Sequence, residues 1–498
     1  MREAAHLAYD LGAESGRALL GVLAGHRLRL HEVDRFANVP QTRPTGLHWD
    51  FDGLWSRMHA GLGEAARTAG RAGWELRSVG VDTWGVDYGL LDAEGRLVEP
   101  PHCYRDPRNQ PVFDRLMEQL GAERLYEATG IQFMSLNTLF QLAAARAADP
   151  ELLNRARRLL FMPDLFHHRL CGSDAVERSI ASTSQMLEAR TGTWALTLLE
   201  ETGLPTHLLG EIVPAGTSLG SLRPEVAERT GAPPGLRVVT PGAHDTASAV
   251  AAVPAREGSA WCYLSSGTWS LLGAELDQPC TSAAARAVPF TNESGVGGKV
   301  RFLKNIIGLW LVQEVRRALA EAGAPLDYEA LTASAEAAEP FRTLVATGWP
   351  PLAEPGGMPE KLREYARATG QPEPDTSGRL VRCCLESLAL TYARVLNQLE
   401  SVLGRRFEVL HIVGGGSRNG LLNRMTADAS GRTTVVGPAE AAAVGNLLVQ
   451  AMGCGEVAGP AAIREIVRAS FETGTIEPRP DPAWERARER YARLPETL

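Results

Sequence analysis

Two segments of this chain carry one pattern. "HLAYDLGAESGRALLGVL", near the start, and "AWCYLSSGTWSLLGAEL", from Ala260, each read as an apolar strand, a turn of small and hydroxyl residues with glycine, and a second apolar strand. Such a repetition predicts two similar halves, each opening with a β-hairpin. The boundary falls near residues 247–260, where "AVPAREGSA" interrupts the periodicity. At 498 residues the chain is also too long for one ordinary core, so two or three compact units are expected. The domains are placed at 1–247 and 248–498.

Helix-like stretches alternate with short apolar runs such as "LRVVTPG" and "FEVLHIVGGG", which places the chain in the α/β class. In the first half, "LRSVGVDTWGVDYGLLDAEGRLV" reads as paired strands turning at "DAEG", and 111–210 reads as mostly helical. In the second, Leu385, Leu388, Tyr392, Leu396, Leu399 and Leu403 recur at helical spacing from Cys384 until Gly404 ends the helix. "VRFLKNIIGLWLVQEV" reads as an amphipathic helix with Asn305 and Gln313 two turns apart. "DPAWERARERYARL" reads as a terminal helix capped by Asp481.

A net charge of -8 gathers no polyanion, so nucleic acid and anionic membrane are poor partners. Seven cysteines, odd in number and without paired-ligand spacing, give neither a disulfide framework nor a zinc site, and they suit a reducing cytoplasm. His167, His168 and Cys171 in "LFHHRLCG" lack a third metal ligand. No apolar run reaches the roughly 18 residues of a membrane span, and the first residues enter a strand pattern without a signal-like apolar region. A soluble globular protein is expected.

Three glycine-bearing turns hold the candidate chemistry. In "DLGAESGR", Gly12 and Gly16 allow tight geometry, Ser15 offers a hydroxyl, Arg17 a cation, and successive N–H groups can converge on phosphate oxygens. Asp10, at the strand's end, is suited to the water shell of Mg2+. "LSSGTWS" places Thr268 in the equivalent turn of the other half. "HIVGGGSRNGLLNRM" joins a strand to a helix through three glycines, which admits a nucleoside or phosphate close to the backbone. A dinucleotide fold would need an acidic residue at the end of the next strand, but that strand ends "TTVVGP". A Walker loop is missing too, since "ESGVGGKV" lacks both its first glycine and the hydroxyl after Lys299. "VDTWGVDYG" sets Asp82 and Asp87 around Trp84, an arrangement that suits a polyol or an ordinary exposed hairpin. "PGAHDTASA" puts Asp245 at a helix start, where it reads as a cap and as a candidate base.

These pieces, with "CYRDPRN", "GIQFMSLNT" and "FLKNIIGLWLVQE", occur in one order from about residue 6 to about 455. In that order they resemble the FGGY carbohydrate kinases, and within them the branch acting on L-rhamnulose. The resemblance implies two actin-like, ribonuclease-H-like α/β domains flanking a catalytic cleft, the first holding sugar and the second ATP. It implies transfer of the γ-phosphoryl of MgATP to O1 of L-rhamnulose in rhamnose catabolism. Its ATP contacts map onto Ala13, Glu14, Ser15, Gly16, Arg17, Thr268, Gln313 and Gly415. Its sugar contacts map onto Gly85, His244, Asp245, Thr246 and Asn305, and its general base onto Asp245. Glu14 departs from the small hydroxyl residue common in this branch, so backbone contacts carry more of that loop's role. Rival expectations are a kinase for L-fuculose, L-xylulose or L-ribulose, and a nucleotide-dependent sugar sensor without catalysis. Oligomeric state is not legible.

Overall fold

The computed structural model describes residues 2–498, which form two compact units. The first comprises the chain up to Pro254 with Glu275–Phe302 and Ala441–Phe471. The second comprises Ala255–Ala274, Leu303–Glu440 and Glu472–Leu498.

A strand buried along its whole length needs both faces covered, and Ala4–Leu11, with every residue buried, is such a strand. It lies fourth in a six-stranded sheet ordered Ser218–Ser221, Arg237–Val239, Glu75–Thr83, Ala4–Leu11, Ser15–Ala24, Arg27–Ala37. It runs antiparallel to Ser15–Ala24 and parallel to Glu75–Thr83. That register sets Asp10 opposite Arg17 on one side and Asp82 on the other.

Alternation along the strands sends odd and even residues to different helices. On one face Tyr9 donates its hydroxyl to the Met58 carbonyl of the helix Phe51–Ala72. That helix is started by Asp50, which accepts from Gly53 N, and stopped by Gly73 at φ 73°. On the other face lies Ala441–Gly453, an almost wholly buried helix of sequence AAAVGNLLVQAMG. Small residues make room for it. A Cβ at Gly21 would sit 2.7 Å from Leu447, and one at Gly80 would sit 3.0 Å from Gln450.

The second unit repeats the opening device. Trp261–Ser266 turns through Gly267 and Thr268 into the antiparallel Trp269–Leu276, then pairs in parallel with Val409–Val413. Thr433–Val436 continues the sheet in parallel and Gly474–Ile476 closes that side antiparallel. The long helix Ser377–Leu403 begins at Thr376, whose side chain accepts from Arg379 N, and ends at Gly404 with φ 62°. Asp481 caps the final helix, Pro482–Ala492, by accepting from Ala483 N.

Two expectations need correction. Residues 300–307 form a strand, not a helix, and the helix begins only at Trp310. The apolar spacing of "VRFLKNII" suits both periods, and Gly308 breaks it: a Cβ there would lie 2.6 Å from the Gly267 carbonyl oxygen. Asn305 therefore stands on a strand while Gln313 stands on a helix. The turn at "DAEG" is present, with Leu91 bridged to Leu97, but the strand Tyr88–Leu91 pairs along its length with Arg158–Phe161 rather than with the residues after that turn. Val86, at φ 69°, redirects the chain between Glu75–Thr83 and Tyr88–Leu91. Among the described residues no helix is long and apolar enough to cross a membrane, and all seven cysteines are free thiols.

The Ala441–Gly453 helix touches Asp245–Ala251 at a glycine. A Cβ on Gly445 would lie 1.8 Å from the Ser248 carbonyl oxygen, a backbone atom that cannot swing aside. Gly445→Ala should therefore destabilise the protein by about 1–3 kcal/mol, the usual cost of overpacking, as read from the midpoint of chemical denaturation.

Candidate active site

The first unit brings three carboxylates together at the same end of its sheet. Asp10, 3% exposed, receives Arg17 Nε at 2.8 Å and Nη2 at 2.6 Å on one oxygen. The turn between them is tight: Gly12 N donates to Ser15 O at 2.9 Å, and a Cβ on Gly16 would meet the Phe36 ring at 2.5 Å. Asn38 pins the loop from outside by donating its side chain to Gly12 O and its backbone N–H to Glu14 O. Ala13 and Glu14 are half-buried and Ser15 is exposed.

Asp82, across the register from Asp10, is fully buried. Its Oδ2 accepts the Asn446 amide at 2.5 Å, whereas its Oδ1 has no hydrogen-bond partner. Gln450 fixes that amide: its Nε2 donates to Asn446 Oδ1 at 2.6 Å and to Leu7 O at 3.0 Å. Burial raises the Asp82 carboxyl well above the usual range, and the charges of Asp10 and Asp245 push it further the same way, outweighing the Asn446 amide and Arg17.

Asp245 completes the group. Thr83 N donates to Ala243 O at 2.9 Å, so the "PGAHDTASA" segment continues the sheet edge beside Asp82. Glu177 and Ser179 hold the turn, accepting Ala243 N and His244 N at 3.1 Å each. The helix that follows spans Asp245–Ala251, with His244 rather than Asp245 at its N-cap position. Asp245 is thus freed from capping. Its side chain is 30% exposed, its Oδ1 accepts the Thr246 hydroxyl at 2.9 Å, and His244 Nε2 stands 3.5 Å away. Gly85 faces the same imidazole, since a Cβ there would lie 3.4 Å from His244 Nε2. Asp10, Arg17, Gly85, His244, Asp245 and Thr246 therefore converge in one unit.

The second unit gathers another set. Thr268 O accepts Gly308 N at 3.0 Å and Trp310 N at 3.2 Å, which seats the Trp310–Glu321 helix on the hairpin turn. Gln313 Nε2 reaches Thr268 Oγ1 at 3.3 Å, and its buried Oε1 is unpartnered. Gly414 and Gly416 lie flat against Ser266, where Cβ atoms would come within 2.9 Å of its carbonyl oxygen and 2.0 Å of its hydroxyl. Gly415 between them faces open space. Thr268, Gln313 and Gly415 thus adjoin the same hairpin, and Asn305 sits on Val300–Ile307, next to Trp269–Leu276 in the sheet.

Other sequence candidates are structural. Asp87 is buried and takes Trp49 Nε1 at 2.5 Å, Trp84 Nε1 at 2.9 Å, Gln141 Nε2 at 2.8 Å and Tyr104 N at 3.2 Å. Burial lifts its carboxyl to about 6. Neither it nor the buried Trp84 offers a surface to a polyol. His167 is buried, accepts Val81 N, and is pushed by burial down to about 3, so it is a neutral acceptor and not a ligand. Among the described residues the one group of metal-ligating side chains is His6, Cys454 and Glu456, at the far end of the Ala4–Leu11 strand from Asp10. There Glu456 already pairs with His6 and Arg77. Sequence reasoning missed Asn38, Asn446, Gln450, Glu293 and Arg301. Asn446 and Gln450 carried a signal, being two polar residues one turn apart in an otherwise apolar helix.

Known proteins match the chain along nearly its whole length. Residues 5–252 match the N-terminal domain of the FGGY family of carbohydrate kinases, and residues 262–454 its C-terminal domain. A rhamnulokinase of Bacteroides thetaiotaomicron is 41% identical over 480 residues, covering 96% of this chain and 97% of that protein. One from Klebsiella pneumoniae is 40% identical over 477 residues, 95% of each. The fold is that of a xylulose kinase from Rhodospirillum rubrum, with TM-score 0.77 at 20% identity over 99% of this chain and 98% of that one. The ADP-bound glycerol kinase of Plasmodium falciparum gives TM-score 0.75 at 14% identity, over 99% and 97%.

The state of Asp82 has a thermodynamic consequence. A carboxyl raised by folding binds its proton more tightly folded than unfolded, so stability is lost as pH climbs above the ordinary carboxylate value of about 4. Asp82→Asn keeps an acceptor for Asn446 and removes that loss. Its Tm should exceed that of the wild type at about pH 8, with the difference shrinking towards about pH 4. A difference that grows on acidification would contradict the raised carboxyl.

Proposed function

The chain belongs to the FGGY family of carbohydrate kinases, and from that premise we infer that it transfers the γ-phosphoryl group of ATP to O1 of L-rhamnulose, giving L-rhamnulose 1-phosphate and ADP. The full-length rhamnulokinase relatives, at 36–41% identity, support the choice of sugar. The observation that carries the chemistry is Asp245: a partly exposed carboxylate beside His244, Thr246 and Gly85 at the sheet end that also holds Asp10 and Asp82.

Phosphoryl transfer asks the protein to align the attacking hydroxyl, to stabilise charge on the transferred group and to take one proton. Asp245 accepts the proton of the O1 hydroxyl late in transfer. His244, Thr246, Gly85 and Asn305 orient the sugar, assigned to the domain 1–247 together with Asn305. The backbone and side chains of Ala13, Glu14, Ser15, Gly16 and Arg17, with Thr268, Gln313 and Gly415 of the domain 248–498, bind ATP. Arg17 enters this set already tethered to Asp10, which sets the direction of its charge.

The carboxylates fit a hydrated Mg2+. Asp82 Oδ1 is a buried oxygen without a partner, and the repulsion among Asp10, Asp82 and Asp245 is of the kind a divalent cation relieves. Asp10 would hold its water shell, and the bound ion would neutralise phosphate charge. The free thiols suit a cytoplasmic setting.

Asp245→Asn should leave the fold intact by circular dichroism and lower kcat by roughly 10² to 10⁴. Turnover near that of the wild type would remove the base assignment. With MgATP, L-rhamnulose should give the highest kcat/KM among L-rhamnulose, L-fuculose, L-xylulose and L-ribulose. Another ketose at the top of that panel would move the substrate assignment to it.

A further inference from the structure

His244 Nδ1, the ring nitrogen turned away from Asp245, meets two charged groups. Arg301 Nη2 lies 3.1 Å from it and Glu293 Oε2 lies 3.0 Å from it, while Arg301 and Glu293 themselves approach to 3.0 Å. None of the three is a surface group: side-chain exposure is 0% for Arg301, 5% for Glu293 and 9% for His244. Arg301 is anchored from a second direction, since its Nε donates to Ser294 O at 3.0 Å. Ser294 N in turn donates to the Ser182 hydroxyl at 2.8 Å. Burial pushes the Glu293 carboxyl up, but the Arg301 charge and the His244 ring outweigh it, so the carboxyl lies below its ordinary value and is ionised.

A guanidinium has five N–H donors and no acceptor. The contact between Nη2 and Nδ1 is a hydrogen bond only if Nδ1 offers its lone pair. Glu293 Oε2 stands 3.0 Å from the same nitrogen and is the rival acceptor for a ring proton there, but the contact that is aligned as a hydrogen bond is the one from the guanidinium. The single proton of a neutral imidazole is then on Nε2, the nitrogen that faces Gly85 and stands 3.5 Å from Asp245 Oδ1.

We propose that Arg301, held in place by Glu293 and Ser294, is a positioning residue that fixes the His244 tautomer, so that Nε2–H is presented as a donor to a sugar oxygen next to the hydroxyl deprotonated by Asp245. The pairing resembles the outer contacts that orient imidazole ligands in metal sites, here applied to a substrate-facing histidine. The inference rests on the sugar-facing reading of His244. Its first test is independent of that reading.

The chain has 11 histidines, so 15N-histidine labelling gives few enough signals to assign His244 by the loss of its resonances in His244→Gln. In the wild type, free of substrate, the His244 pattern should be that of the Nε2–H tautomer. An Nδ1–H pattern overturns the proposal, whatever the kinetics show. Arg301→Met leaves Glu293 as the sole polar neighbour at Nδ1 and should shift the proton there. It should also raise KM for the ketose about 10- to 100-fold, the loss of one charge-assisted hydrogen bond, with KM for ATP unchanged. Arg301→Lys keeps a cation and a donor, so it should retain the wild-type tautomer and recover most of the ketose KM. Should Arg301→Met not fold, the wild-type and Arg301→Lys spectra decide the matter alone. A tautomer as expected together with an unaltered ketose KM in Arg301→Met would leave the ring chemistry standing and overturn its link to the sugar.

Discussion

Mutual repulsion among Asp10, Asp82 and Asp245 is the constraint around which the first unit is organised. Carboxylates crowded in a low-dielectric interior cannot all remain charged without compensation. Each of the three is compensated differently. Asp10 is clamped by Arg17 through two donors, Asp82 takes one amide and holds its proton tightly, and Asp245 keeps access to solvent. Register makes the first two arrangements automatic: once Ala4–Leu11 pairs with its neighbours, Asp10 must lie between Arg17 and Asp82. The third depends on the chain returning beside Thr83, some 160 residues later in sequence, through the hydrogen bond to Ala243.

The Ala441–Gly453 helix belongs to the same arrangement. A helix this apolar would bury any polar residue at a cost of a few kcal/mol unless that residue found partners. Asn446 and Gln450 find them in series: the Ser78 hydroxyl donates to Gln450 Oε1, Gln450 Nε2 to Asn446 Oδ1, and Asn446 Nδ2 to Asp82 Oδ2. Because each amide has a defined donor and acceptor end, the chain of bonds has one direction, and it ends by delivering an N–H to the carboxylate. Glycines at 21, 80 and 445 let the helix approach closely enough for that delivery.

Much of this is legible in the sequence. The paired hairpins, the glycine turns, the stop at Gly404 and the cap at Asp481 are local, and local chemistry is what sequence states directly. Errors arose where one pattern served two structures. "VRFLKNII" has apolar spacing that fits helix and strand, and only contact between Gly308 and the facing hairpin decides between them. Asp87 beside Trp84 reads in sequence as a polyol surface or an exposed hairpin, because nothing local announces the four donors that bury it. "ESGVGGKV" resembles, in sequence, only a phosphate loop that lacks essential residues. In the fold its neighbourhood supplies Glu293 and Arg301 to a histidine about fifty residues earlier, a meeting no spacing rule anticipates.

Three aspartates at one site pose the question of which could serve as the proposed base, and exposure is what supports the choice of Asp245. Asp82 is fully buried, its carboxyl is pushed up by that burial and by the charges of Asp10 and Asp245, and its one partnered oxygen accepts from Asn446. Asp10 is 3% exposed and has spent an oxygen on Arg17. A general base must come within hydrogen-bond reach of an incoming hydroxyl, which a carboxylate sealed in a sheet cannot do. Asp245 is the member that keeps access to solvent, with the Thr246 hydroxyl donating to its Oδ1 and His244 Nε2 standing 3.5 Å from the same oxygen. Displacing Asp245 from the N-cap to the first helical position is what keeps it available, because an aspartate at the N-cap would turn inward to its own helix. His244 takes the capping place without a cap hydrogen bond from its side chain, which leaves the imidazole to its partners at Arg301 and Glu293.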